Sequence, residues 1–146
     1  MKMKKLFVGL ISLFLVMSTT LFSKMTLSQY KSAIATNEQN MARALRSSSD
    51  EMVGLRNSIL EMKKLGNLKP PASCAKEHAI IQRSLKVFDR VTAYLLEYHN
   101  LSNKSNPTSA EKKRMDQIAK RNEKDMYAME EATIDFNRAI EAIRRK

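Results

Sequence analysis

The sequence predicts an all-α fold: an antiparallel up-down-up bundle of three long helices, preceded by an N-terminal hydrophobic helix that is a signal peptide or an anchor. Beyond residue 25, apolar residues recur at steps of three and four, the spacing of one helix face, and strand-like alternation is absent. The 146 residues include only three glycines and three prolines, so few turns are expected. We therefore expect one extracytoplasmic domain, residues 25–146, with helices at about 26–65, 72–101 and 108–145.

The hydrophobic helix is predicted from residues 1–24, where a lysine-rich start is followed by an uncharged apolar run, residues 6–22. If Ser18 begins a polar segment, the apolar part has 12 residues, as in a cleaved signal peptide. If the run continues through Phe22, it has 17 residues and approaches the length of a membrane span, as in an uncleaved anchor. Both interpretations remain open, and both predict export.

Charge around the apolar run predicts its orientation. Three lysines precede the run and one follows it, which places the N-terminus inside and the residues after Lys24 outside the membrane. A lipid anchor is not expected, because the single cysteine, Cys74, lies far from the leader. The predicted location is extracytoplasmic, either secreted or held by a single membrane pass.

The first helix, 26–65, is predicted from one apolar stripe and a clear C-terminal end at Gly66-Asn67, followed by Pro70-Pro71. The stripe consists of Leu27, Tyr30, Ile34, Met41, Leu45, Met52, Leu55, Ile59 and Met62. A rival interpretation divides this helix at residues 47–50, with Ser48 and Glu51 forming a capping box and four helices in all. We favour the unbroken helix because the stripe stays in phase, and we expect residues 25–35 to extend beyond the bundle.

The second and third helices are separated by a run of turn-forming residues that ends at Pro107. Thr108 and Glu111 have the spacing of a capping box at the start of the third helix. The second helix has two adjacent apolar rows and should be the most deeply buried. Short connections make consecutive helices antiparallel, which gives the three-helix bundle.

Positive charge is the property that most restricts the choice of partner. The net charge is +11 for the whole chain and +7 once residues 1–24 are set aside. The cations crowd the start of the third helix, at Lys112, Lys113, Arg114, Lys120, Arg121 and Lys124. Anionic lipid, a cell-wall polymer or another envelope protein are the expected partners. Nucleic acid is not, because the chain is predicted to be exported and the basic face has few aromatic residues.

No residue pattern predicts catalysis, and we expect no cofactor and no metal. Cys74 and His78 lie four residues apart, a spacing that can share a metal, but two ligands are too few and the sequence favours a buried thiol and a hydrogen-bonded histidine. Glu130, Glu131 and Asp135 lack the Glu-x-x-His pattern of di-iron bundles, and Gly-rich phosphate loops are absent. The sequence does not predict an enzyme.

The leading hypothesis is a non-enzymatic binding or structural module of the bacterial envelope. An alternative is a small extracytoplasmic sensor, since a bundle behind an N-terminal membrane helix is similar in architecture to bacterial chemoreceptor input domains. A pocket lined by Asn37, Asn122 and His78 would favour that alternative. A further alternative is a homodimer linked through Cys74, the one thiol of the chain.

Overall fold

A computed structural model describes residues 24–146, and the predicted leader segment 1–23 lies outside the described residues. The described part is all-helical and has no strand. It contains four α-helices, with a short 3-10 turn at Ala72–Cys74 before the third. The helices are α1 Leu27–Arg46, α2 Glu51–Gly66, α3 Ala75–Ser102 and α4 Ser109–Arg144. Within residues 24–146, no helix has the length and apolar character that crossing a membrane requires.

The predicted single helix 26–65 is wrong, because the chain divides it into α1 and α2 at residues 47–50. Ser47 ends α1 by donating its backbone N–H to the Arg43 carbonyl. Asp50 then starts α2, with its carboxylate accepting hydrogen bonds from the first backbone amides of that helix. The rival interpretation placed the break correctly but chose Ser48 as the cap. Ser48 instead accepts a hydrogen bond from the Asp50 backbone N–H at 3.2 Å.

Helices α1 and α2 form an antiparallel hairpin. The Asn37 side-chain amide on α1 donates to the Glu61 carbonyl on α2 at 2.7 Å. At the other end of the hairpin, Gly54 approaches Leu45 so closely that a Cβ atom would lie 2.9 Å from the Leu45 carbonyl oxygen. The apolar stripe of the two segments therefore folds back on itself, and both halves face the same core.

The predicted extension of residues 25–35 beyond the bundle is also wrong. Tyr30 and Ile34 are in the core, with 1% and 2% of their surfaces exposed. The Met25 backbone N–H donates to the Lys69 carbonyl at 2.8 Å, which holds the start of α1 against the end of α2. Because the chain reverses direction between α1 and α2, these two shorter helices pack side by side on the α3–α4 hairpin. Residues 25–35 therefore lie within the bundle.

The two later helices follow their predicted bounds within three residues. The capping box at the start of α4 is present, since Thr108 and Glu111 exchange side-chain to backbone hydrogen bonds at 3.2 and 2.8 Å. Phe88 on α3 and Phe136 on α4 pack edge to face with ring centroids 5.8 Å apart. Each helix thus packs antiparallel to the next, and the order is up-down-up-down.

The core is concentrated at one end of the bundle, which we call the closed end. It is the end where α1 and α3 begin and where α2 and α4 finish. Its buried residues include Tyr30, Ile34, Leu65, Cys74, Ile81, Leu85, Phe136, Ala139, Ile140 and Ile143. Arg144 joins α4 to α1 here through the Glu38 carboxylate. The opposite end, which carries the connections 47–50 and 103–108, has fewer buried side chains.

Candidate functional site

A buried polar pair lies at the centre of the closed end. The Tyr30 hydroxyl and the His78 Nδ1 atom are 2.7 Å apart, and only 5% of His78 is exposed. Burial lowers the pKa of His78, and a hydrogen bond to the Gly66 carbonyl opposes this effect only in part. Burial likewise raises the pKa of Tyr30 well above its usual value. Both side chains are therefore neutral near pH 7.

The hydrogen bond to Tyr30 fixes the position of the His78 ring. It joins the Tyr30 hydroxyl on α1 to Nδ1 of His78 on α3, so the pair connects these two helices inside the core. This arrangement matches the hydrogen-bonded histidine that the sequence favoured over a metal ligand.

Cys74 is the second predicted candidate, and it is completely buried in the 3-10 turn before α3. Its partner in the four-residue spacing, His78, is buried and uses Nδ1 for the hydrogen bond to Tyr30. Across residues 24–146 there is no group of three or more histidine, cysteine or acidic residues that could hold a metal ion. His99 is far along the same helix and contacts Asn103 at 3.2 Å. A disulfide between two chains would require the turn around Cys74 to open.

Glu77 and the C-terminal Lys146 close the same end of the bundle. The Lys146 ammonium lies 3.1 Å from the Glu77 carboxylate and also donates to the Ser73 carbonyl at 2.7 Å. A hydrogen bond from its own backbone N–H, together with Lys146, lowers the pKa of Glu77. The pair fastens the last residue of the described chain to the start of α3. Its evident role is structural.

Two arginines of the basic segment of α4, residues 112–124, are held by side chains of α3. Arg114 donates two hydrogen bonds to the Glu97 carboxylate, at 2.7 and 3.0 Å, and this ion pair lowers the pKa of Glu97. Arg121 bonds the buried Asp125 at 2.9 Å and lies over the Tyr94 ring, 4.4 Å from its centroid. These contacts fix the α3–α4 hairpin and remove the two arginines from the set of free cations.

Four lysines of the same segment are exposed and have no carboxylate within ion-pair distance inside the described range. They are Lys112, Lys113, Lys120 and Lys124. Arg121 and Asp125, four residues apart on this segment, form an ion pair. Residues 111–125 contain six cations and four carboxylates, so the segment has a net charge of +2, and the four lysines are its cations without an ion pair among residues 24–146.

The polar residues proposed to line a common pocket do not come together. Asn37 bonds the α2 backbone, His78 is occupied by Tyr30, and Asn122 lies exposed on α4. The Asn37 Oδ1 atom is buried without a partner among the described residues. The carboxylates of Glu130, Glu131 and Asp135 are also exposed on α4. These positions therefore do not form a ligand site.

A groove that the sequence did not predict lies between α2 and α3, toward the end opposite the core. It has a volume of about 650 Å³, within the range of small-molecule sites. We call it the α2–α3 groove, and its lining residues are Arg56, Ile59, Leu60, Asp89, Thr92, Ala93, Leu96, Glu97, Asn100, Leu101 and Lys104. Leu60 is 47% exposed, so the groove presents apolar surface at its edge as well as in its floor.

The charged residues of the α2–α3 groove differ in whether they are neutralised. Three of them have partners outside the groove: Asp89 with Lys63, Glu97 with Arg114 and Lys104 with Glu111. Arg56 has no ion-pair partner within residues 24–146. The groove therefore carries one uncompensated positive charge.

Thr92 is a buried polar residue in the groove lining. It is 4% exposed, and its hydroxyl has no hydrogen-bond partner in the described part of the chain. A helical threonine commonly donates to the carbonyl four residues earlier, as Thr133 does to Met129 at 2.8 Å. An unsatisfied hydroxyl of this kind costs stability.

The sequence contained one signal for this groove. Leu60, Leu96 and Leu101 are apolar but fall outside the stripes that define the core faces. Apolar residues away from the buried stripe indicate a second apolar surface. Their convergence could not be predicted, because it depends on α2 being a separate helix that runs beside α3.

No protein-family model matches this chain, and no curated protein or solved structure is significantly similar to it.

Proposed function

We propose that this protein is a non-enzymatic binding or structural module of the bacterial envelope, exported or anchored through residues 6–22. The sequence pattern of residues 1–24 supports export. The structural observation that carries the binding role is the cluster of exposed α4 lysines without an ion pair in the described range, at positions 112, 113, 120 and 124. Such a cluster attracts anionic lipid headgroups or wall polymers through screened electrostatics.

The fate of the candidate reactive groups supports a non-enzymatic role. His78 is neutral and hydrogen-bonded to Tyr30, Cys74 is buried, and Glu77 is paired with Lys146. Groups that act as general bases or nucleophiles need a side that substrate can reach. These three are instead engaged in packing the closed end.

Cell fractionation tests the location, and mass spectrometry of the N-terminus distinguishes cleavage from anchoring. We expect the chain in secreted or membrane fractions, and a cytosolic chain with an intact N-terminus would refute the proposal. Co-sedimentation with vesicles that contain phosphatidylglycerol tests the partner. Replacing the four α4 lysines by glutamine should reduce binding strongly. A matched variant that removes four exposed cations of α3, at positions 76, 83, 86 and 90, should reduce it less.

A second candidate function is a small extracytoplasmic sensor or ligand-binding bundle, and the α2–α3 groove is the observation that favours it. The groove has the volume of a small-molecule site and lies away from the tightly packed closed end. A ligand that raises the melting temperature of the protein and shifts the signals of groove residues would support this function.

A further inference from the structure

The α2–α3 groove combines an apolar floor with a single uncompensated cation. Ile59, Ala93, Leu96 and Leu101 supply apolar lining from both helices. The groove follows α3 from Asp89 to Leu101, a distance of about 18 Å at 1.5 Å per residue. A surface of this length and character favours an extended aliphatic ligand over a compact polar one.

The charges of the groove define the head of such a ligand. Both acidic residues are neutralised by ion pairs with neighbouring cations, whereas Arg56 has none in the part of the chain that is described. The Asn100 carboxamide, which is also exposed, can add a hydrogen bond at the same end of the groove. A guanidinium recognises a carboxylate through two parallel hydrogen bonds.

We propose that the α2–α3 groove binds a medium-chain fatty acid, with its carboxylate at Arg56 and its aliphatic chain along the leucines of the floor. This proposal deepens the second candidate function by naming its ligand class. It does not depend on export, so a cytosolic location would refute the envelope assignment and leave the groove proposal standing. The absence of fatty-acid binding would refute the groove proposal alone.

The test uses the full chain with decanoate below its micellar concentration. Binding is measured by calorimetry and by methyl NMR signals of Ile59, Leu96 and Leu101, which separate the groove from other apolar surfaces. We expect the affinity to rise by roughly fourfold or less for each methylene added from hexanoate to decanoate. We expect decanol and decyltrimethylammonium to bind much more weakly, because neither offers a carboxylate to Arg56.

Variants locate the interaction. Arg56→Gln should weaken decanoate binding by about tenfold, the loss of one charge-assisted hydrogen bond at a partly exposed site. Arg83→Gln removes the same charge from an exposed position of α3 outside the groove lining and should leave the affinity unchanged. Thr92→Val alters the floor without touching the head contact, so it should bind decanoate at least as tightly.

Three results would overturn the proposal. One is equal binding of decanol and decanoate, which would mean that no carboxylate is recognised. Another is an equal loss in the Arg56 and Arg83 variants, which would indicate general charge attraction. The third is a decanoate-independent dimer in sedimentation that protects the groove methyl groups, which would make a second copy of the chain the occupant.

Discussion

Replacing Gly54 by alanine tests the hairpin of α1 and α2. An unbroken helix and a hairpin predict changes of opposite sign in the free energy of unfolding. In an unbroken helix 26–65, Gly54 would be an interior position, and alanine would raise the free energy of unfolding by about 1 kcal/mol through helix propensity alone. In the hairpin, the new Cβ would lie 2.9 Å from the Leu45 carbonyl oxygen, about 0.5 Å inside ordinary contact at 3.4 Å. Because the obstructing atom belongs to the backbone, α1 and α2 must move apart.

Overpacking of this kind costs roughly 1 to 3 kcal/mol. After the gain in helix propensity is subtracted, we expect Gly54→Ala to lower the free energy of unfolding by about 1 kcal/mol. For a domain of this size, the melting temperature should fall by about 4 °C. The two interpretations thus differ by about 2 kcal/mol, which urea titration followed by circular dichroism resolves easily.

Ser32→Ala provides the control, because Ser32 is an exposed position of α1 and alanine there gains only propensity. It should raise the free energy of unfolding by about 0.5 kcal/mol. If Gly54→Ala were stabilising to a similar extent, the close approach of the two helices would be refuted, and with it the four-helix arrangement.

Three further predictions concern single side chains. Asp50→Ala should lower the free energy of unfolding by about 1 kcal/mol, because it removes the cap of α2, and Ser48→Ala should lower it less. If urea titration gave the reverse order, Ser48 would be the cap. Because the folded pKa of His78 lies below its usual 6.5, the unfolded chain takes up the proton first as the pH falls. Stability is therefore complete above about pH 6.5 and decreases below it, and a His78→Gln variant should lose this pH dependence in denaturation curves. Thr92→Val should raise the free energy of unfolding by about 1 kcal/mol, because it removes a buried hydroxyl without a partner. Thr133→Val removes a hydrogen-bonded hydroxyl and should show no such gain in thermal melts.

Helices α3 and α4 were predictable because their ends are encoded locally. The capping box of Thr108 and Glu111 depends only on residues three apart, and Pro107 stops the preceding segment. The buried state of His78 and Cys74 was predictable from residue type and position on the stripe. Local signals of this kind need no knowledge of what packs against them.

The break between α1 and α2 was harder to predict because the periodic signal is ambiguous there. Leu45 and Met52 are seven residues apart, so the apolar stripe continues in phase across the connection. A hairpin whose arms face one core gives the same pattern as a continuous helix. The deciding residues are Asp50, whose carboxylate caps α2, and Gly54, which permits the close approach. The effect of Gly54 becomes visible only when α2 is placed beside α1.

The two ends of the bundle use their polar residues differently, and this difference assigns them different roles. At the closed end, the Tyr30 and His78 pair connects α1 and α3, and Lys146 holds the start of α3 through Glu77. Substitution of these residues should therefore change stability, and binding only as a consequence. In the α2–α3 groove, Arg56 lacks a counter-charge in the part of the chain that the structure describes. Because its charge is not used to hold the fold together, Arg56→Gln should separate the two roles by reducing binding while leaving the unfolding transition nearly unchanged.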